Sequence, residues 1–235
     1  MKSSTLKPQQ FDLRYSGKLS DYVTAIAWSP QGQTLAISSA SGEVMLWRDL
    51  PNTDEVWPLQ LADGHSLDCL AFSKDGQLLA AGGQNGQVKI WRLHDVKAYR
   101  CKPLHILENS PAWVDKLAWS PISNQLAFSL GRYVQVWDAD TNQVVATLNF
   151  DASSVLSLNW RSDGEYLAIA GYQGVKTWYS LNWDDDPYLL HIPSASLALA
   201  QAWACPTSLG RLIADTLLLA IWIERSLFWS GTTPG

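Results

Sequence analysis

The chain has 235 residues, enough for one large all-β domain, and it carries a formal net charge of −5 with 17% charged residues. No Lys/Arg cluster longer than two residues occurs, so we expect no nucleic-acid partner, because phosphate binding needs a basic face. The three cysteines, Cys69, Cys101 and Cys205, lie far apart and form no Cys-x-x-Cys pair. This pattern disfavours a zinc site or a disulfide framework and favours a reducing compartment.

The sequence shows no segment suited to a membrane. Residues 1–8 contain no apolar stretch of the kind found in signal peptides. The most apolar stretch, residues 212–223, is interrupted by Asp215 and is shorter than the roughly 20 residues that cross a bilayer. We therefore expect a soluble, cytoplasmic protein with no membrane partner.

A short signal recurs along the chain: a small residue, then an aromatic residue, then Ser or Arg. Its aromatic positions lie 41 to 47 residues apart, and a second aromatic residue follows each of them at a similar spacing. The first set is Trp28, Phe72, Trp119 and Trp160, and the second set is Trp47, Trp91, Trp137 and Trp178. Two interleaved marks with one period indicate a structural unit copied in tandem, as in propellers and solenoids.

Each copy predicts short antiparallel strands separated by tight turns. In the first copy the strands are predicted at residues 23–28, 35–38 and 44–47. The second copy is the clearest, with strands at 67–72, 78–82, 87–93 and about 103–107, and with an Asn85-Gly86 hairpin turn. The third copy predicts strands at 114–119, 125–129 and 133–137, and the fourth at 155–160, 166–170 and 175–178. Four antiparallel strands in each unit describe one blade of a propeller.

These units resemble WD repeats, the family that builds β-propellers. The resemblance covers about residues 20–180 and is carried by Ala71-Phe72-Ser73, Asp75-Gly76, Leu79-Ala80, Asn85-Gly86, Val88-Lys89-Ile90-Trp91, Gly64-His65 and Trp137-Asp138. It implies an all-β fold, namely a β-propeller of about five four-stranded antiparallel blades. The alternative is a propeller that is truncated or does not close its ring.

The chain departs from the family pattern in two respects. Only one copy keeps the Gly-His pair, and the family's turn Asp before the third strand is replaced by Ser41, Asn85, Arg132 and Gln173. We therefore expect most blades to lack the buried hydrogen-bond network that the family builds from that His and Asp. Aromatic and aliphatic packing would then hold the blades together.

The predicted organisation is an N-terminal segment, residues 1–20 with one strand at 11–19, and a propeller over residues 21–235. The expected blades are 21–62, 63–108, 109–150, 151–192 and a degenerate copy at 193–235. In this last copy Ala202-Trp203 keeps the period, but no Gly turn separates its second and third strands, and residues 217–223 are an unbroken apolar run.

The irregular last copy leaves two interpretations open. Our hypothesis is that the residues after about 205 are not native blade sequence, and that the chain is a truncated or frame-shifted version of a longer propeller. The alternative is a divergent closing blade. Because a ring is stabilised by closure, the first interpretation predicts an exposed sheet edge that is prone to association.

The sequence contains no motif for catalysis, so we expect no enzyme activity, no cofactor and no metal site. It has no Gly-x-Gly-x-x-Gly, P-loop, Gly-x-Ser-x-Gly or His-Glu-x-x-His pattern. His65 and the pair His94-Asp95 are interpreted as structural or solvated residues. The run at residues 184–186 is interpreted as a solvated acidic loop, because calcium needs converging ligands. Cys69, inside a strand, is expected to be an inert buried thiol.

The resemblance implies a binding surface at the top face, where each first strand begins and the turn between second and third strands lies. Exposed Trp, Tyr and Arg dominate the energetics of protein interfaces. The predicted protein-binding residues there are Tyr22, Asp68, Trp113, Asp115, Arg132 and Tyr172. The alternative for the aromatic members is that they pack between blades.

We therefore predict a non-enzymatic scaffold for protein–protein interaction, which binds protein partners of unspecified identity and no small-molecule substrate. One alternative is a truncated or frame-shifted remnant of a longer WD-repeat protein without independent function. Another is a propeller enzyme with a metal or cofactor in the central channel, since propellers also host enzymes. Asp68 and Asp115 alone are too few to form a ring of metal ligands.

Overall fold

The structure, a computed structural model, describes residues 16–50, 53–93, 102–151, 153–172, 174–183 and 188–190. These residues form four antiparallel sheets of four strands each, which we call blades 1 to 4. Blade 1 contains β1 (Val23–Trp28), β2 (Thr34–Ser39), β3 (Val44–Leu50) and β4 (Thr53–Gln60), and blade 2 contains β5 (Leu67–Phe72), β6 (Leu78–Gly83), β7 (Gln87–Arg92) and β8 (His105–Glu108). The all-β fold is thereby confirmed.

The other two blades repeat the same strand order. Blade 3 contains β9 (Leu117–Trp119), β10 (Gln125–Leu130), β11 (Tyr133–Asp138) and β12 (Gln143–Asn149). Blade 4 contains β13 (Val155–Trp160), β14 (Tyr166–Gly171), β15 (Gly174–Tyr179) and β16 (Tyr188–Leu190). In every blade neighbouring strands pair in chain order, and the blades contact one another in sequence without these four sheets closing a ring.

Most predicted strands agree with the structure to within a few residues. The strand predicted at 114–119 begins only at Leu117; just before it the Lys116 N–H donates to the Ser129 hydroxyl at 3.1 Å. Residues 16–19, the end of the predicted N-terminal strand, are not in a strand, and its residues 11–15 lie outside the described residues, so that strand stays a prediction. The predicted blade at 193–235 and the acidic run at 184–186 also lie outside them.

The recurring Ser of the repeat signal closes the first hairpin of its blade. In blade 2 the Ser73 hydroxyl accepts the backbone N–H of Leu78 at 2.9 Å, while its own N–H donates to the Leu78 carbonyl. Gly76, in the same turn, has φ of +70°, a conformation that favours glycine. The same Ser–strand bonds recur at Ser29 with Thr34 in blade 1. The Ser of the repeat signal is therefore buried and satisfies the backbone groups at the end of its turn.

The core lies between the blades, where apolar side chains of consecutive sheets interdigitate. Blades 1 and 2 share a cluster that includes Leu46, Leu67 and Trp91. Blades 2 and 3 share a cluster around Ile90, Phe128 and Trp137. Blades 3 and 4 share a cluster around Val136, Leu158 and Trp160. Each blade is therefore apolar on both faces, which explains why it cannot fold as an isolated unit.

Two junctions contain the same indole hydrogen bond. The Nε1–H of Trp119 donates to the Ala71 carbonyl at 3.0 Å, and that of Trp160 donates to the Ala118 carbonyl at 3.1 Å. In both cases the acceptor is the residue before the corresponding aromatic position of the preceding blade. In blade 2 this position is Phe72, whose ring has no N–H group. The repeat therefore accepts Phe at this position without the indole hydrogen bond.

Trp119→Phe should therefore keep the packing of its site and lose only the hydrogen bond to Ala71. We expect a loss of about 1 kcal/mol in the free energy of unfolding, because the Ala71 carbonyl is left without its donor. Urea denaturation followed by circular dichroism measures this change. Trp113→Phe, at an exposed position, is the control and should change stability by less than about 0.5 kcal/mol. Equal effects of the two substitutions would contradict the assignment.

An exposed charge cluster holds the first turn of blade 4. The hydrogen bond from the Arg161 guanidinium lowers the pKa of Asp163 below its ordinary value, and the same bond raises the pKa of Arg161. Because the folded pKa of Asp163 is depressed, its contribution to stability is present above the unfolded value of about 4. It is lost as the pH falls through the lower folded pKa.

Asp163→Asn should consequently reduce stability at pH 7 by less than about 1 kcal/mol, since the pair is largely solvated. The difference from the wild type should vanish when unfolding is measured near pH 2. Arg161→Gln should likewise reduce stability at pH 7 and should no longer differ from the wild type in stability near pH 2. A destabilisation that is the same at pH 7 and at pH 2 would disprove the electrostatic origin.

Candidate functional site

The six predicted binding residues lie at one edge of the blades, which we call the top edge. It is the edge where the first strand of each blade begins and where the turn between its second and third strands lies. Tyr22 precedes β1, Asp68 lies in β5, and Trp113 and Asp115 precede β9. Arg132 lies in the β10–β11 turn and Tyr172 in the β14–β15 turn. All four blades thus contribute to this edge.

The first strands carry a β-bulge at the top edge, which the sequence did not reveal. The pairing register shifts between Val23 and Ala25 in blade 1, between Leu67 and Cys69 in blade 2, and between Val155 and Ser157 in blade 4. Asp68 occupies the shifted position of blade 2. Bulges redirect a side chain locally and are frequent near functional sites. A bulge leaves no mark in composition, so no feature of the sequence indicated it.

Hydrogen bonds across the junctions fix the top edge as one surface. The Val114 N–H donates to the Gly83 carbonyl at 3.0 Å, and the Val155 N–H donates to the Gly131 carbonyl at 2.7 Å. Between blades 1 and 2 the Ser38 hydroxyl donates to the Leu67 carbonyl at 2.9 Å. The bonded residues are next to Trp113, Arg132 and Asp68 in the sequence. The backbone that carries these predicted residues is therefore hydrogen-bonded across a blade junction.

The aromatic residues of the top edge face solvent. Tyr22 is 85% exposed, Trp113 57% and Tyr172 55%. In the part of the chain that the structure describes, these three side chains project from the blades and do not pack between them. Their backbones are nonetheless anchored, since the Tyr22 carbonyl accepts the Ala40 N–H and the Tyr172 N–H donates to the Ser153 hydroxyl at 2.8 Å.

The charged members differ in their surroundings. Asp68 is half-buried and accepts a hydrogen bond from the Ser66 hydroxyl. Asp115 is half-buried as well, whereas Arg132 is exposed. In blade 1 the sequence reasoning missed Glu43, whose carboxylate accepts from both the N–H and the hydroxyl of Ser20, at 2.9 and 2.8 Å. The signal for it was its position directly after the Ser41-Gly42 turn.

A buried lysine connects blades 1 and 2 near the same edge. Lys89 Nζ lies 2.8 Å from Asp63 Oδ2 and donates to Gln60 Oε1 at 3.1 Å. The Lys89 side chain is only 8% exposed, and Asp63 also accepts the N–H of His65 at 3.1 Å. This pair therefore organises the loop that holds Gly64-His65, and the His65 side chain itself is exposed.

Blade 4 contains a weaker version of the same contact. Lys176 precedes Trp178 by two residues, as Lys89 precedes Trp91. Its Nζ lies 3.4 Å from Asp151 Oδ2 and donates to the Asn149 carbonyl at 3.2 Å. Asp151 is mostly exposed, so this second pair is well solvated.

The described residues offer no metal-binding group of three or more His, Cys, Asp or Glu. Cys69 is a free, buried thiol, as expected, and burial raises its pKa far above the ordinary value, which keeps it protonated and inert. A cleft of about 120 Å³ lies at the opposite edge between blades 2 and 3, lined by residues that include Asp75, Arg92, His105 and Asp140. None of the predicted binding residues lines this cleft.

Comparison with known proteins identifies the class of fold. Residues 26–120 match the family model of the anaphase-promoting complex subunit 4 WD40 domain. Among solved structures, the WD40 repeats of RRP9 are 20% identical with a TM-score of 0.61, covering 74% of this chain and 52% of that one. U3-55K is 21% identical with a TM-score of 0.60, covering 74% of this chain and 53% of that one. No curated protein matches the chain.

The four described blades thus have the fold of a β-propeller and do not close a ring among themselves. The predicted resemblance to WD repeats is confirmed by the WD40 family model over residues 26–120 and by the fold of the two solved WD40-repeat structures. The chain spans about half the length of the two solved relatives. None of the residues that the structure describes forms a helix long and apolar enough to cross a membrane.

The two lysine pairs allow a matched test of burial. Lys89→Met should destabilise the protein by about 2 kcal/mol, because it removes the buried cation that donates to the half-buried Gln60 amide oxygen and to the Asp63 carboxylate. Lys176→Met should cost less than about 1 kcal/mol, because Asp151 is solvated. Urea midpoints at equal unfolding slopes measure both values. Similar losses for the two variants would show that burial does not determine the strength of the pair.

Proposed function

We propose that the protein is a non-enzymatic interaction scaffold that binds a protein partner at the top edge. The observation that carries the proposal is the presence of three solvent-facing aromatic side chains, Tyr22, Trp113 and Tyr172, on one backbone-anchored edge. Large aromatic side chains supply most of the binding energy at protein interfaces. Anchoring lowers the entropy lost on binding, so such residues are well suited to recognition.

The charged residues of the top edge supply the specificity of the proposed interaction. Asp68 and Asp115 lie on the starts of consecutive blades, and Arg132 lies on the neighbouring turn of blade 3. Charges at an interface steer the encounter and exclude partners of the wrong sign. We therefore expect a partner segment that places a cation against blades 2 and 3 and an acidic group near Arg132.

The proposal includes no catalytic step and no cofactor. Cys69 is the one thiol of the described residues and is protonated and buried, which supports a role in packing. The low number of cysteines and the absence of a Cys-x-x-Cys pair from the sequence support our further proposal of a cytoplasmic location.

Photo-cross-linking tests the partner directly. The photoreactive residue p-benzoylphenylalanine replaces Trp113 in the full chain. This variant is irradiated in an extract of the source cells, and the cross-linked protein is identified by mass spectrometry. The same residue at Leu181, which is 78% exposed and away from the top edge, is the control. A protein captured from Trp113 and not from Leu181 supports the proposal.

Trp113→Ala should then weaken binding of the purified partner about 30-fold, equivalent to about 2 kcal/mol for an aromatic hot spot. Leu181→Ala should leave the dissociation constant within a factor of two. Isothermal titration calorimetry measures both. Binding that is insensitive to Trp113→Ala, Tyr22→Ala and Tyr172→Ala would place the interaction elsewhere.

A further inference from the structure

Trp113 lies on a short connection between two blades, and its exposed side chain is followed directly by a fully buried residue. The connection runs from the end of β8 in blade 2 to the start of β9 in blade 3. We call residues 109–114 the Trp113 loop. Val114, the last residue of this loop, belongs to the apolar cluster that also contains Cys69 and Val88. The loop therefore projects one large aromatic side chain from a buried base.

Both ends of the Trp113 loop are hydrogen-bonded to blade 2, at the end of β6 and in the turn that follows it. At the start of the loop the Asn109 N–H donates to the Gly86 carbonyl at 2.9 Å. At its end the Val114 N–H donates to the Gly83 carbonyl at 3.0 Å, and the Val114 carbonyl accepts the Cys69 thiol at 3.2 Å. These bonds attach the two ends of the loop to one sheet, so the residues between them have few conformations left.

Glycines of blade 2 leave the space that the Trp113 loop occupies. A Cβ at Gly86 would lie 2.7 Å from the Ala112 carbonyl oxygen and 2.8 Å from the Ser110 nitrogen, closer than real Cβ atoms approach backbone atoms. A Cβ at Gly82 would lie 2.5 Å from Cγ1 of Val114. Gly86 also has φ of +76°, a conformation that favours glycine. Any side chain at Gly86 would therefore displace the middle of the loop.

We propose that Gly86 is a positioning residue for Trp113, and that the Trp113 loop is a recognition element preformed by blade 2. This inference rests on the proposed function, in which Trp113 contacts the protein partner. Gly86 is buried, so it acts through the loop and not by contact with the partner. A loop that already has its bound shape loses less conformational entropy on binding, which raises the affinity without a further contact.

Fluorine NMR of the full chain tests the positioning without any partner. The protein is labelled with 5-fluorotryptophan, and the Trp113 resonance is the one that Trp113→Phe removes. Gly86→Ala should shift and broaden this resonance, because the displaced loop no longer holds the indole in one place. Gly32→Ala, in the first turn of blade 1, is the matched control, since Gly32 has a similar φ of +70° but no heavy atom within 4 Å of its Cβ position. An unchanged Trp113 resonance in Gly86→Ala, or an equal shift in Gly32→Ala, would overturn the proposal.

Hydrogen exchange of the wild-type protein tests the loop even if Gly86→Ala does not fold. The Asn109 and Val114 amides should exchange at least about 100-fold more slowly than the Trp113 amide, which has no acceptor among the described residues. Equal exchange rates for the three amides would show that the loop is not held by blade 2 and would refute the proposal.

Partner binding separates the positioning role from the proposed function. With the protein that is cross-linked from Trp113, Gly86→Ala should raise the dissociation constant about 10-fold and Gly32→Ala less than about twofold. A shifted Trp113 resonance with unchanged binding would overturn the role of Gly86 in recognition. Binding that is insensitive to Trp113→Ala contradicts the proposed function, whereas an unchanged resonance contradicts the positioning by Gly86 alone.

Discussion

The packing of one blade against the next is the constraint on which the rest of the structure depends. Each sheet has large apolar residues on both faces, so a blade is stable only when neighbours cover both sides. At about 25 cal/mol per Å² of buried apolar surface, the side chains of one junction outweigh any single hydrogen bond. The indole bonds from Trp119 and Trp160 then fix the register between sheets that the apolar contact brings together. These junctions also hold the top edge in place, because its residues are attached to the packed sheets.

The repeat allowed the fold to be predicted from the sequence. The aromatic-Ser signal, the glycine turns and the spacing predicted the strands of blades 1, 2 and 4 closely, because those strands pair within their own sheet. The prediction failed at residues 114–116, where the Lys116 N–H donates to the Ser129 side chain and β9 begins only at Leu117. It also did not foresee the burial of Lys89, since alternation along β7 describes one sheet and not the neighbouring sheet that covers it. Errors therefore occur where a side-chain hydrogen bond or a neighbouring sheet overrides the local pattern.

The candidate site was predictable in position but not in detail. The repeat places Tyr22, Trp113 and Tyr172 at one edge, and their residue types indicated recognition. Sequence alone left open whether these rings face solvent, because an aromatic residue packs between blades as readily as it projects from them. The bulges that carry Asp68 and the carboxylate of Glu43 beside Ser20 arise from pairing geometry, which composition does not record. The solved relatives add the fold and nothing about the side chains of this edge.

The residues that link adjacent blades vary together along the repeat. Position 89 is Lys, and the loop of the preceding blade supplies Asp63; Lys176 and Asp151 stand in the same relation in blade 4. At the corresponding positions of blade 3 the residues are Gln135 and Ser110, which are neutral and polar, and in blade 1 they are Met45 and Leu19, which are apolar. Each junction is thus matched in polarity to its own neighbour, which disfavours pairing of blades in the wrong order.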